Sequence, residues 1–265
     1  MGSIRQGWGG RRPVLGAIAA SALAAVLTGC QEGSLTLSTP TTSPTAGPAT
    51  KPAPAGPETP STQVTATPTS QLSAADYVLA AGPETAGFES SGGADDPDSD
   101  GDSAIETTVA TCAGFPEYDP PEPSDETTGD LFTSTEESDF QAVSRAKILP
   151  ASQIRQNAEI VTSPLFGDCY RAALEEQFTG PDANGYTYEL VAVETPPPPP
   201  GATALIRTSL GVTDQYGTYG YVRDTLYFYV GEVAVQLEVI NVQNVPPPDI
   251  EQGFVDQIAD RLTNQ

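Results

Sequence analysis

Tyr221-Val-Arg-Asp-Thr-Leu-Tyr-Phe-Tyr-Val230, then Gly231-Glu232, then Val233-Ala-Val-Gln-Leu-Glu-Val-Ile-Asn-Val242 is the stretch that decides the fold. Two runs rich in β-branched and aromatic residues flank a Gly-X pair. That is the pattern of a type II′ hairpin, in which glycine supplies a positive φ without steric cost. In the first run Tyr227 and Tyr229 share one strand face, while Leu226, Phe228 and Val230 take the other.

Working outward, the period of two continues. Tyr186–Glu194 and Ala202–Thr213 read as strands, with Gln215–Gly220 as a Gly/Tyr turn between the second and the hairpin. Thr195 to Gly201 contains five consecutive prolines and reads as a stiff loop inside the domain, in preference to a PxxP peptide ligand. After the hairpin, Pro246–Pro248 ends the sheet. Asp249 is placed to cap a last helix, with Gln252 at the capping-box position. Ile250, Phe254, Ile258 and Leu262 recur every four residues with Val255 beside them, an apolar stripe that should lie across one face of the sheet.

Toward the N-terminus, Leu131–Thr135 reads as a strand. Phe140–Leu149 alternates, with Val143, Arg145 and Lys147 on one parity and Ala142, Ala146 and Ile148 on the other. An amphipathic helix competes for this stretch, and Pro150 ends it either way. Residues 151–162 are helical in composition, and Pro164 suits the start of a second helix that runs to Phe178 and carries Cys169. Residues 104–113 make a short helix bringing Cys112 inward, the proline-rich 115–123 must be loop, and 71–81 is a short helix or a strand. The fold class that follows is α+β: an antiparallel sheet of about five or six strands, helices packed on one face, over residues 71–265.

The first 70 residues are of another kind. Arg5, Arg11 and Arg12 precede an uncharged apolar run from Val14 to Leu27, the layout of a secretory signal. The run is about 14 residues, short of the roughly 20 that span a bilayer as a helix. Leu27-Thr28-Gly29-Cys30 resembles the lipobox of bacterial lipoproteins. Residues 1–29 are thus expected to be a lipoprotein signal peptide. Cys30 is expected to be the first mature residue, carrying a diacylglycerol on sulfur and an N-acyl chain, so that the bilayer becomes its partner. More than one chain is what stable anchoring needs. Residues 30–70, rich in Pro, Thr, Ala and Ser, read as a disordered tether able to reach on the order of 100 Å if fully extended as polyproline II.

Composition narrows the function. The chain has 11 Lys+Arg, 35 Asp+Glu and no His. Three of the cations and none of the acids precede residue 30, so the mature chain carries a net −27. Nucleic acid is excluded as a partner, because its recognition needs a basic footprint. Without His there is no Ser-His-Asp triad and no His metal site. With Cys30 taken by lipid, Cys112 and Cys169 remain, and in an exported chain an even remainder reads as a disulfide. No catalytic residue, no cofactor and no metal is expected. The acidic stretch 91–103 matches a calcium loop only in part: Asp96, Asp98, Asp100 and Gly101 fit the first EF-hand positions, but the twelfth is Thr107 where a bidentate Glu is required, so a solvated loop is the better reading.

The tyrosines remain. Tyr186, Tyr188, Tyr216, Tyr219, Tyr221, Tyr227 and Tyr229 crowd the strand region. They read either as ordinary strand formers with the hydroxyl at the wet edge, or as the lining of a pocket for a glycan or apolar ligand, with Tyr219, Tyr221, Tyr227 and Tyr229 as the candidate residues. A Cys-bearing helix, four strands containing Tyr-Phe-Tyr-Val-Gly-Glu-Val-Ala-Val (227–235), a proline-marked turn and a C-terminal amphipathic helix resemble the PknH-like extracellular sensor domain of actinobacteria, across roughly 72–263. That family occurs on receptor kinases and as stand-alone lipoproteins. The resemblance implies an α+β domain with an antiparallel sheet and a ligand-binding or sensory role. Three readings of function stand: a non-catalytic lipid-anchored module binding a small molecule, a cell-wall component or an envelope protein; a hydrolase of envelope polymers using paired carboxylates; and a structural envelope protein.

Overall fold

The structure is a computed structural model that describes residues 72–92, 99–137, 139–178 and 186–265. The leader, Cys30 and the tether lie outside the described residues, as do Asp96 and Asp98 of the acidic stretch. The elements run β1 (Phe88–Ser91), α1 (Ser99–Cys112), β2 (Asp125–Thr128), β3 (Leu131–Ser134), β4 (Phe140–Ile148), α2 (Ala151–Val161), α3 (Phe166–Gln177), β5 (Thr187–Glu194), β6 (Ala204–Asp214), β7 (Gly217–Val230), β8 (Val233–Val242) and α4 (Pro248–Thr263).

All strands join one antiparallel sheet in the order β1-β3-β4-β8-β7-β6-β5, with β2 sharing the outer edge of β4 with β3. The α+β class holds, and the sheet has eight strands where five or six were expected. The hairpin forms as read: Val230 pairs Val233, and Gly231 sits at φ 61 while Glu232 stays out of the positive-φ region, which is the type II′ pattern. The preceding turn is tighter than expected. Asp214 pairs Gly217, and the Asp214 carboxylate accepts from the Tyr216 and Gly217 amides at 2.7 and 3.0 Å. Tyr219 and Gly220 are therefore strand residues, because the side-chain-closed turn needs only two residues at its tip.

Helices cover both faces of the sheet, where one was expected. On one face Phe140, Ala142, Ala146, Ile148, Leu226, Phe228, Val235, Leu237 and Val239 pack with Phe254, Val255, Ile258 and Leu262 of α4. The apolar stripe read from the sequence is thus the inner side of α4. A segment at 72–80 straps the same face: Gln257 exchanges hydrogen bonds with the Ala80 amide and carbonyl at 2.8 and 3.0 Å, and Arg261 Nη1 donates to the Val78 carbonyl at 2.7 Å. Gly201, at φ 103, lets the loop after the proline run lie on α4, since a Cβ there would come within 3.1 Å of Ala259 and 3.2 Å of Val255. Helix α4 begins with Pro247 as its cap and Pro248 as its first residue, so Asp249 lies in the first turn and does not cap; proline lacks the N–H that would otherwise be orphaned there.

On the opposite face, α1, α2 and α3 form a second core with Ala204, Ile206, Leu190 and Tyr227 of the sheet. The Cys112–Cys169 disulfide joins the end of α1 to α3 across a separation of 57 residues. Helix α1 begins at Ser99, earlier than expected, so Asp100 and Gly101 are helical and do not form the sharp turn a calcium loop requires. Among the described residues, no helix is long and apolar enough to cross a membrane.

Candidate functional site

The second face holds a cavity of about 230 Å³. Its floor is the sheet. Alternation along β7 presents Tyr227 and Tyr229 to it, and alternation along β4 presents Arg145 and Lys147. Pairing places Gln236 of β8 opposite both Tyr227 and Arg145, so the floor is one continuous patch of side chains. Its walls are Glu106 of α1, Asn157 of α2, Glu126 of β2 and the loop carrying Tyr118, Pro120, Pro121 and Pro123.

The two floor tyrosines lie nearly parallel, 16° between planes with centroids 6.3 Å apart, and Phe166 of α3 meets Tyr227 edge-on at 5.8 Å. The stacked pair and Phe166 form an aromatic cluster at one end of the floor. Burial pushes both hydroxyls well above the ordinary phenol range, the nearby Glu106 carboxylate adding to the effect, so both stay neutral donors. Tyr118 is raised for the same two reasons, and its hydroxyl donates to Asn157 Oδ1 at 3.1 Å. Asn157 Oδ1 also accepts from Gln153 Nε2 at 2.8 Å, which fixes the amide. Lys147 Nζ lies 3.4 Å from Glu126 Oε1, a cross-strand pair that closes one wall. The result is a floor that runs from two tyrosine rings to Gln236, Arg145 and Lys147, walled by phenol, amide and carboxylate groups and able to donate and to accept.

Of the four tyrosines singled out from sequence, the structure brings Tyr227 and Tyr229 together in this cavity. Tyr219 and Tyr221 share their strand face but not their site. Tyr221 is eight residues from Tyr229, about 26 Å along a strand. It stands with Arg223, Glu238 and Tyr188, where burial, only partly offset by Arg223, pushes its hydroxyl up to about 12. Sequence reasoning missed Tyr118, Asn157, Glu106 and Gln236. Each comes from a separate element, and none carries a motif.

A second, buried charge cluster lies beneath α4. On the α4 face, Asp224 is fully buried, takes two hydrogen bonds from the Arg207 guanidinium, and lies against Glu251. With Glu251 5% exposed, this carboxyl pair has no access to a polymer substrate. Among the described residues, no group of three His, Cys, Asp or Glu side chains could hold a metal ion.

A comparison with models of known families finds no match, nor does one with curated proteins. Among solved structures, the chain is similar to LpqN, described as involved in cell envelope biogenesis of Mycobacterium tuberculosis, at 10% identity and a TM-score of 0.25, over 56% of this chain and 80% of that one. A likeness at that score carries no conclusion about this chain.

Proposed function

We propose that the domain is a non-catalytic binding module. Its pocket takes a small molecule with a flat ring face and a hydrogen-bonding edge, of the kind a cell-wall glycan offers, and the module is held on the extracytoplasmic side of the cell membrane by acylated Cys30. The observation that carries this reading is the parallel Tyr227–Tyr229 pair on the floor of a cavity whose rim mixes donors and acceptors. Aromatic faces gain dispersion and CH contact from a ring, and fixed amides and charges discriminate its substituents. The resemblance to PknH-like sensor domains points the same way. A hydrolase would need an accessible acid raised toward neutrality; among the described residues the carboxyl that burial raises, Glu251, is on the opposite face.

Two experiments test the two halves. Soluble fragments of cell-wall glycan, titrated calorimetrically against the domain, should give saturable binding that Tyr227→Ala with Tyr229→Ala weakens at least tenfold; equal heats for both proteins would refute the pocket. Intact mass of the membrane-fraction protein should show a lipid-sized increment that Cys30→Ser abolishes. A mass without lipid would remove the anchor.

A further inference from the structure

The charge cluster beneath α4 is spared by the reading above and asks for its own explanation. Three charged side chains from three elements meet there: Asp224 of β7, fully buried; Arg207 of β6, which binds it through Nε at 2.7 Å and through Nη2; and Glu251 of α4. Glu194 at the end of β5 bears on Arg207 more weakly. One turn along, Glu84 faces α4 and accepts from Gln257 Nε2 at 3.2 Å. A single guanidinium cannot neutralise two adjacent buried carboxylates. Glu251 Oε2 has no hydrogen-bond partner, which a carbonyl oxygen tolerates and a carboxylate oxygen does not. The pair is therefore complete when Glu251 keeps its proton and donates it to Asp224.

We infer that Glu251 is a proton-dependent latch: α4 closes on the sheet through a neutral Glu251 bonded to Asp224, and its first turn loosens when that proton leaves. Burial first, then the hydrogen bond to Asp224 and the Asp224 charge, raise the Glu251 carboxyl to about 8, with Arg207 opposing. The helix N-terminus favours the ionised form by only a factor of about five at ordinary sites, so it does not reverse this. The sign follows from linkage. The folded state holds a proton that the unfolded chain releases near its ordinary value of 4.5. The Glu251 contribution is therefore whole below about 4.5 and is lost as pH rises to about 8, the folded-to-unfolded ratio falling about tenfold per pH unit in between. Phe254, Val255, Ile258 and Leu262, fully buried or nearly so, hold the rest of the helix on the sheet, so the release belongs to the first turn.

The test compares the full chain with Glu251→Gln, which keeps a donor and cannot ionise. Between pH 5 and 8 the stability of wild type relative to the variant should fall about tenfold per unit, and wild-type amides at 251–254, whose hydrogen bonds close the first turn, should lose hydrogen-exchange protection that the variant keeps. Parallel stability and protection profiles would overturn the latch. If the variant does not fold, a carboxyl carbon NMR titration of wild type decides: one Glu with a midpoint near 8 supports the latch, and every Glu in the ordinary carboxylate range overturns it.

Discussion

On one side of β7, Leu226 and Phe228 are sealed beneath α4; on the other, one residue along each time, Tyr227 and Tyr229 look into a cavity edged by polar groups. The two faces come from the same strands, so the difference lies in what covers them. Helix α4 lays a continuous apolar stripe along its sheet face and is pinned by Gln257 and Arg261 to the segment in front of it. The helices opposite are shorter, a disulfide joins two of the three, and they meet the sheet around a proline loop that leaves a cavity. A close-packed face stabilises; a face left open between rigid walls can bind.

Substitutions can break this contrast in order of size. Phe254→Ala, in the sealed core, should cost about 4 kcal/mol in denaturant unfolding, while the protein that remains folded binds ligand normally. Removing the disulfide with Cys112→Ser and Cys169→Ser should cost about 3 kcal/mol, since it frees a 57-residue separation, and should also weaken binding because α1 supplies a pocket wall. Tyr227→Phe with Tyr229→Phe should change stability by less than about 1 kcal/mol, because the rings and their packing remain. It should reduce ligand affinity several-fold through the lost hydroxyls. A large stability loss from the last pair, or a binding loss from the first, would erase the distinction between the faces.

The sequence told some of this and withheld the rest for physical reasons. The hairpin and the α4 stripe were legible because period and turn chemistry are local. Phe88-Glu-Ser-Ser91 and Asp125-Glu-Thr-Thr128 gave no strand signal: both are short and polar, and they are strands only because β3 and β4 offer open edges. That α1, α2 and α3 would gather on the face away from α4 depends on where the connections lead. Likewise the tyrosine face of β7 could be read, but not which of its residues share a cavity. Tyr118 reaches the site from a loop 109 positions before Tyr227, and nothing in its neighbours foretells that.

The central claim is that the tyrosine face is the binding face. Its most direct test is an NMR titration of the domain with soluble cell-wall glycan fragments, following the tyrosine ring signals against those of α4. The account predicts saturable shifts for Tyr118, Tyr227 and Tyr229, with Phe254 and Tyr219 still. Shifts centred on α4, or none at saturating ligand, would contradict it.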